Sequence, residues 1–234
     1  MGSFNMSEPT LAEMKADNDK AQWLLNLKLN HGTLTKEQQA QKADEYEQDQ
    51  ITQETNRVND VLSKMMDIKY IDAKLPDFTV LPENKITYDK IIDWLDNYKQ
   101  GKWLVLKGPQ GCGKTLMKNI IIRELYTRYQ IRSYATTHYG LFTDYLDSIQ
   151  NGTNKALLTK LGNKKMLIID EIGRRKQTEA FGNFLFEVID RIYLNEGSAL
   201  LITNAVSVKD YIDLSRLNEC GIALALTGKD WRKQ

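Results

Sequence analysis

Two pairs of residues have the types and spacing for phosphate chemistry: Lys114 with Thr115, and Asp170 with Glu171. The first pair closes the octapeptide Gly108-Pro109-Gln110-Gly111-Cys112-Gly113-Lys114-Thr115, which fits the template of a glycine, four residues, then Gly-Lys-Ser/Thr. In such a loop the glycines let backbone N–H groups turn inward around a phosphate, and the following helix offers its positive end. An ammonium at Lys114 would reach the β- and γ-phosphates of a nucleotide, and the Thr115 hydroxyl would hold Mg2+. All eight positions are therefore candidate nucleotide contacts, and the bland alternative is a chance glycine-rich turn. The second pair ends the run Met166-Leu167-Ile168-Ile169-Asp170-Glu171. Many buried strands end in aspartate, so that run alone carries little. About 55 residues after a phosphate loop it fits the Walker B pattern, with Asp170 supporting Mg2+ through its water shell and Glu171 polarising the attacking water.

The chain supplies the elements such residues need. Trp103-Leu104-Val105-Leu106-Lys107 reads as a short buried parallel strand, and Leu116 to Tyr129 reads as a helix, so the loop has strand before it and helix after it. Met166 to Ile169 reads as another buried strand, with its carboxylates at the carboxyl end where open parallel sheets bind ligands. Further strands are expected at Ile131 to Ala135, Ser198 to Thr203 and Ile222 to Leu226, with Asn204 at the tip of the fourth. Between them, Tyr139 to Ile149 is expected as a helix with Phe142, Tyr145 and Leu146 inward, and Leu157, Leu158 and Leu161 mark a short helix. Phe181, Phe184, Leu185, Val188, Ile189 and Ile192 form a core-facing helical stripe. A helix carrying Ile91, Leu95 and Tyr98 is expected to start at a Thr87 cap and to be stopped by Gly101. The expected fold is α/β: a P-loop NTPase with a five-stranded parallel sheet, helices on both faces and no C-terminal lid.

Residues 1–68 read differently. Leu11, Met14, Ala21, Leu24 and Leu25 fall at roughly helical spacing up to a break near His31-Gly32. Thr35 and Gln38 form a capping-box pair opening a long charged helix with a thin stripe of Ile51, Val58, Leu62 and Met65. Such a helix is either a solvated or coiled-coil spacer or a docking surface for a partner. The composition changes at Tyr70-Ile71-Asp72-Ala73-Lys74-Leu75-Pro76-Asp77-Phe78, which separates a small all-helical domain, 1–68, from the ATPase domain, 69–234.

Composition excludes several classes. The 234 residues hold 32 Lys plus Arg against 31 Asp plus Glu, a formal net charge of +1, so bulk charge does not advertise a nucleic-acid or membrane binder. No apolar run approaches the roughly 18 residues of a membrane span, and no signal-peptide core opens the chain, so a cytoplasmic protein is expected. The two cysteines, Cys112 and Cys220, cannot build a zinc site and are expected as reduced thiols. Any single-strand DNA contact must then be local, with Arg174-Arg175-Lys176, Lys164-Lys165, Tyr134, Tyr139 and Phe142 as candidates.

A phosphate loop, a strand ending in Asp-Glu and a polar residue at the next strand's tip resemble the AAA+ branch of P-loop ATPases. Within it, Leu167-Ile168-Ile169-Asp170-Glu171-Ile172-Gly173, the lead-in residues Ala73, Leu75, Asp77 and Phe78, Leu200 to Asn204, Ser215-Arg216-Leu217 and Trp231-Arg232 resemble the DnaC/DnaI-type replicative helicase loaders. They resemble the related IstB-type transposition ATPases almost as well, over about residues 70–234. The resemblance implies ATP/ADP and Mg2+ as cofactors, and a homo-oligomer that loads the hexameric replicative helicase onto single-stranded DNA through a helicase-binding N-terminal domain. It makes Asn204 the residue that orients the lytic water, Arg216 an arginine finger and Arg232 a second sensor. An ordinary salt-bridging arginine is the alternative for Arg216, and a solvated one for Arg232. The zinc-binding N-terminal module of DnaI-type loaders has no counterpart here, because no cysteine precedes Cys112.

Overall fold

The computed structural model describes residues 21–23, 35–173, 178–204, 214–228 and 230. Most of the helical stretch expected before the break near His31-Gly32 therefore lies outside the described residues. The chain divides into two compact units, residues 1–59 and 60–234.

In the first unit the capping box forms as the sequence expects. The Thr35 amide donates to Gln38 Oε1 at 3.0 Å, and the Gln38 amide donates back to Thr35 Oγ1 at 3.3 Å. Helix α1, Lys36–Ser63, follows for 28 residues. Its polar composition gives it almost nothing to bury: its one buried residue, Leu62, lies in its last turn, within the second unit, and Ile51 is 58% exposed.

The second unit is built on five parallel strands: β1 Trp103–Lys107, β2 Tyr134–Thr137, β3 Met166–Ile172, β4 Ser198–Thr203 and β5 Gly221–Ala225. Their order across the sheet is β2-β3-β4-β1-β5. The register is regular where it matters, with Leu104 opposite Leu200 and Ile222, and Leu167 opposite Ala199. Side chains alternate between the two faces of a strand, and β1 and β4 are apolar in both registers because both faces are covered. On one face Trp103, Val105, Leu167, Ile169, Ala199 and Leu201 belong to a single buried cluster. It is completed by helices α4 His138–Gln150, α5 Asn154–Gly162, α6 Glu179–Leu194 and α7 Leu214–Cys220. Phe181 is its hub, with the rings of His138, Phe142, Tyr145 and Phe184 between 5.1 and 6.3 Å away. Truncating it to alanine would cost about 3–5 kcal/mol. The alternate register, with Leu104, Leu106, Ile168, Leu200 and Ile202, is just as buried. Helix α3, Lys114–Tyr129, which leaves the phosphate loop, is buried around most of its circumference.

Four local expectations need correction. Helix α2, Lys85–Asp96, begins two residues before Thr87. Asn84 organises the start, accepting from the Leu81 amide at 2.8 Å, while Thr87 donates its hydroxyl to the Ala225 carbonyl at 2.7 Å. The same helix ends at Asp96, capped by Asn97, so Gly101, with φ of +85°, serves the turn into β1 and not the helix stop. Strand β2 starts at Tyr134 rather than Ile131. The Ile131 amide is spent on the Leu125 carbonyl at the end of α3, and β2 is an edge strand whose start is set by pairing with β3. Finally, Leu146 is 42% exposed, and Leu141 is the fully buried residue of α4.

Candidate nucleotide site

The loop between β1 and α3 is held at both ends. The Gly108 amide donates to the Thr203 carbonyl at 3.2 Å, and the Leu226 amide donates to the Lys107 carbonyl at 2.7 Å, so the tips of β4 and β5 clamp its base. Two glycines are required by contact. A Cβ on Gly108 would lie 2.0 Å from the Leu226 carbonyl oxygen, and one on Gly111, where φ is +79°, would lie 1.8 Å from the Asp230 carboxylate. Lys114 is 8% exposed, and its ammonium donates to the carbonyls of Gly108 at 2.8 Å and Pro109 at 2.6 Å, with Cys112 Sγ at 3.8 Å. The loop thus holds its own cation in place, and a phosphate must win it from two carbonyl oxygens. Both cysteines are free thiols, with Cys112 buried in the loop.

Strand β3 breaks its ladder where the chemistry is needed. Its pairing with β4 shifts between Ile169 and Ile172, and Glu171 sits in the bulge with φ of +59°, a left-handed conformation that a glutamate rarely adopts. The bulge turns Glu171 out toward a cleft while Ile172 returns to the core at 2% exposure. Asp170 stays 5% exposed, and its Oδ1 accepts the Glu171 amide at 2.7 Å. The cleft, about 230 Å3, brings Glu171 and Asn204 together with Lys114, Thr115 and the loop residues Gln110, Gly111 and Gly113. Its remaining wall holds Leu116, Lys69 and Tyr70. A buried carboxylate at a strand tip and a threonine hydroxyl at a helix start fit Mg2+, which binds through one or two carboxylates together with nucleotide phosphates and not through an all-protein cage.

A second lysine, one helical turn after Lys114, was invisible as a site residue. Lys118 Nζ donates to Asp67 Oδ2 at 2.8 Å and lies 3.3 Å from Asp170 Oδ2. The lysine and Asp170 side chains are each 7% exposed, and that of Asp67 is 49% exposed. Asn119 ties down the same aspartate: its Oδ1 accepts the Asp67 amide at 2.9 Å, and its Nδ2 donates to Asp67 Oδ2 at 3.0 Å. Burial pushes the Asp67 carboxyl up, but the hydrogen bonds from Asn119 and Lys118 and the lysine's charge outweigh it and hold the carboxyl below its usual value. Lys118 had no legible signal, because its helix mixes lysine, threonine, asparagine, arginine and glutamate with its apolar residues. Asp230, lying against Gly111, had none either.

Arg216 is at the other end of the sheet. Helix α7 ends at Cys220 and β5 begins at Gly221, opposite Trp103, so Arg216 precedes the amino edge while the phosphate loop follows the carboxyl edge. Five strand residues, roughly 16 Å, separate the two. The guanidinium pairs with Asp190 Oδ1 at 2.6 Å and stacks over the Tyr193 ring at 4.7 Å. Arg232 lies outside the described residues, as do Arg174, Arg175 and Lys176. Of the other DNA candidates, Phe142 is partly buried against the core, Tyr139 is 55% exposed, and Lys164 stands 5.3 Å over the half-buried Tyr134 ring.

The sequence matches the family described as IstB-like ATP binding protein over residues 47–216. The chain belongs to this family. No curated protein matches it. Among solved structures, this IstB-like protein is similar to the DnaC helicase loader, at 19% identity and a TM-score of 0.62, over 69% of this chain and all of that one. It is similar to DnaI at 17% identity and a TM-score of 0.58, over 69% of this chain and 95% of that one. The replication initiator DnaA bound to AMPPCP and single-stranded DNA is similar at 20% identity and a TM-score of 0.59, over 70% of this chain and 51% of that one. At these identities the likeness establishes the fold, an AAA+ P-loop core. The family match of this IstB-like protein takes in Lys114, Thr115, Asp170, Glu171 and Asn204, and its last residue is Arg216. Among the described residues no helix is long and apolar enough to cross a membrane.

Proposed function

We propose that this chain is an ATP-hydrolysing loader of the replicative DNA helicase, working as a homo-oligomer in the cytoplasm, with residues 1–68 gripping the helicase and residues 69–234 coupling nucleotide state to its deposition on single-stranded DNA. The observation that carries the ATPase part is the cleft in which Lys114, Thr115, Glu171 and Asn204 converge. Lys114 exchanges its loop carbonyls for the β- and γ-phosphates, and Thr115 would hold Mg2+, with Asp170 supporting it through its water shell. The ion supplies neutralisation of phosphate charge. Glu171 draws on a water, Asn204 orients it, and attack on the γ-phosphorus breaks its bond to the bridging oxygen, giving ADP and phosphate. Arg216 reaches no nucleotide in its own subunit across the sheet, so a finger role is a role in trans on a neighbour's γ-phosphate. Arg232 is carried as a second nucleotide sensor on the family resemblance alone.

The loader part rests on the structural likeness to DnaC and DnaI, and the family match to IstB-like proteins favours a second reading, a transposition ATPase on duplex DNA. Two measurements separate the readings. Steady-state ATP turnover with and without single- and double-stranded DNA is expected to show weak hydrolysis, raised by single strands. Turnover absent under every condition points to a nucleotide-gated adaptor, and stimulation by duplex alone points to transposition. Co-purification with the hexameric helicase, lost on removing residues 1–68, is expected of a loader; retention by residues 69–234 alone sinks the domain assignment.

A further inference from the structure

The ion pairs around Lys118 join the nucleotide site to the segment that follows α1. Lys118 is a single cation between two carboxylates, one of which, Asp170, is the only carboxylate assigned above to the metal. The other, Asp67, opens the stretch whose next residues, Lys69 and Tyr70, form a wall of the cleft. That stretch is docked on α3 by further contacts: Asn119 holds Asp67 through two hydrogen bonds, and the Arg123 guanidinium donates to the Ile71 carbonyl. A buried ammonium needs carboxylate partners, and the two aspartates share this one. A divalent cation drawn to Asp170 repels the ammonium, which Asp67 can take over without leaving it unpaired.

We propose that Lys118 is a positioning residue that divides its charge between Asp170 and Asp67, so that loading the nucleotide–metal site tightens the Lys118–Asp67 pair and fastens residues 67–70 against the cleft. This rests on the ATP-binding reading given above. The device carries nucleotide state to residues 67–70, which lie within the second unit just beyond the end of α1. Because coupling between sites is reciprocal, disturbing Asp67 must alter the metal requirement of a site it does not touch.

The sign distinguishes this from a scaffold role. In Asp67→Asn the ammonium has only Asp170 left, so it competes harder with the metal, and the Mg2+ concentration needed rises. In Lys118→Met the competitor is gone, and the concentration falls. The experiment titrates Mg2+ against binding of a fluorescent, methylene-bridged ATP analogue, with an EDTA arm measuring metal-free affinity. Each shift is expected to be roughly fivefold or more, the low end of coupling between linked sites. Shifts in the same direction, or no shift in either variant, overturn the proposal. If Lys118→Met fails to fold, Asp67→Asn decides alone, and an unchanged metal requirement overturns it. Hydrogen exchange gives a second readout: peptides covering 64–73 gain protection with Mg2+ plus analogue over analogue in EDTA in the wild type, and this gain is lost in Asp67→Asn. Wild-type protein that binds no analogue in either arm overturns the ATP-binding reading itself, an outcome distinct from binding without coupling.

Discussion

The carboxyl and amino edges of the sheet are built from the same strands and hold their charges in opposite ways. At the carboxyl edge Lys114 donates to two loop carbonyl oxygens, which a phosphate can replace, and Glu171 is aimed into a cleft by a bulge. At the amino edge Arg216 already has a carboxylate at 2.6 Å and an aromatic face at 4.7 Å, and Tyr193 in turn donates its phenol to Glu219 Oε2 at 2.7 Å. One edge keeps a cation ready for a ligand; the other keeps a cation satisfied at rest. A satisfied arginine is a structural residue unless a neighbouring subunit offers something better than Asp190, so the comparison turns on assembly.

The sharpest way to break it is Arg216→Ala. If the arginine serves a neighbour's γ-phosphate, turnover falls by roughly 10³ to 10⁵ while ATP affinity stays near normal, and mixing this variant with Glu171→Gln restores part of the activity. No recovery in assemblies shown to be mixed makes Arg216 a structural residue. At the opposite edge, Glu171→Gln keeps a hydrogen-bonding side chain but loses the base, so hydrolysis drops by about 10² to 10⁴ with binding retained, read from a trapped ATP complex. Lys114→Ala is expected to act on binding first, raising the ATP dissociation constant by roughly tenfold or more, the loss of a charge-assisted hydrogen bond. Equal affinity to wild type sinks the assignment of the loop.

Smaller effects sharpen the picture of the surfaces between the edges. Removing Lys164, which stands over Tyr134, should lower the salt dependence of single-strand binding by somewhat less than one unit in the log–log slope. An unchanged slope takes that residue out of the interface. The smallest expected effect concerns acid stability. Asp67 has a depressed carboxyl, so its contribution is present above its unfolded value, near 3.8, and is lost as pH falls through the lower folded value. Its side chain is half exposed, so solvent screening limits that contribution to about 1 kcal/mol, and Asp67→Asn should flatten the acid limb of a denaturation profile by no more.

The parts of the fold legible in the sequence are those where one physical demand dominates. Strands β1, β3 and β4 are buried on both faces, so their apolar runs are continuous, and α6 must bury one face, so its stripe is regular. Edge strand β2 obeys a partner's register more than its own composition, and its start was misplaced by three residues for that reason. In the site, Lys114, Thr115, Asp170, Glu171 and Asn204 were legible because the backbone geometry of a phosphate loop and a strand tip fixes their spacing. Lys118 and Asp67 were not, since 51 residues separate them and a lysine on a helix ordinarily reads as solvent-facing. Nothing in Asp170-Glu171-Ile172 announces a left-handed residue either.

That left-handed residue sets the protein's capacity to be improved against its usefulness. Glycine at 171 would relieve on the order of 1 kcal/mol of backbone strain, and asparagine part of it. Heat-resistant variants selected without regard to activity should therefore accumulate glycine or asparagine at 171, and each would be more robust while lacking the carboxylate proposed to act on water. A library screened both for residual structure after heating and for turnover should show position 171 at opposite ends of the two rankings.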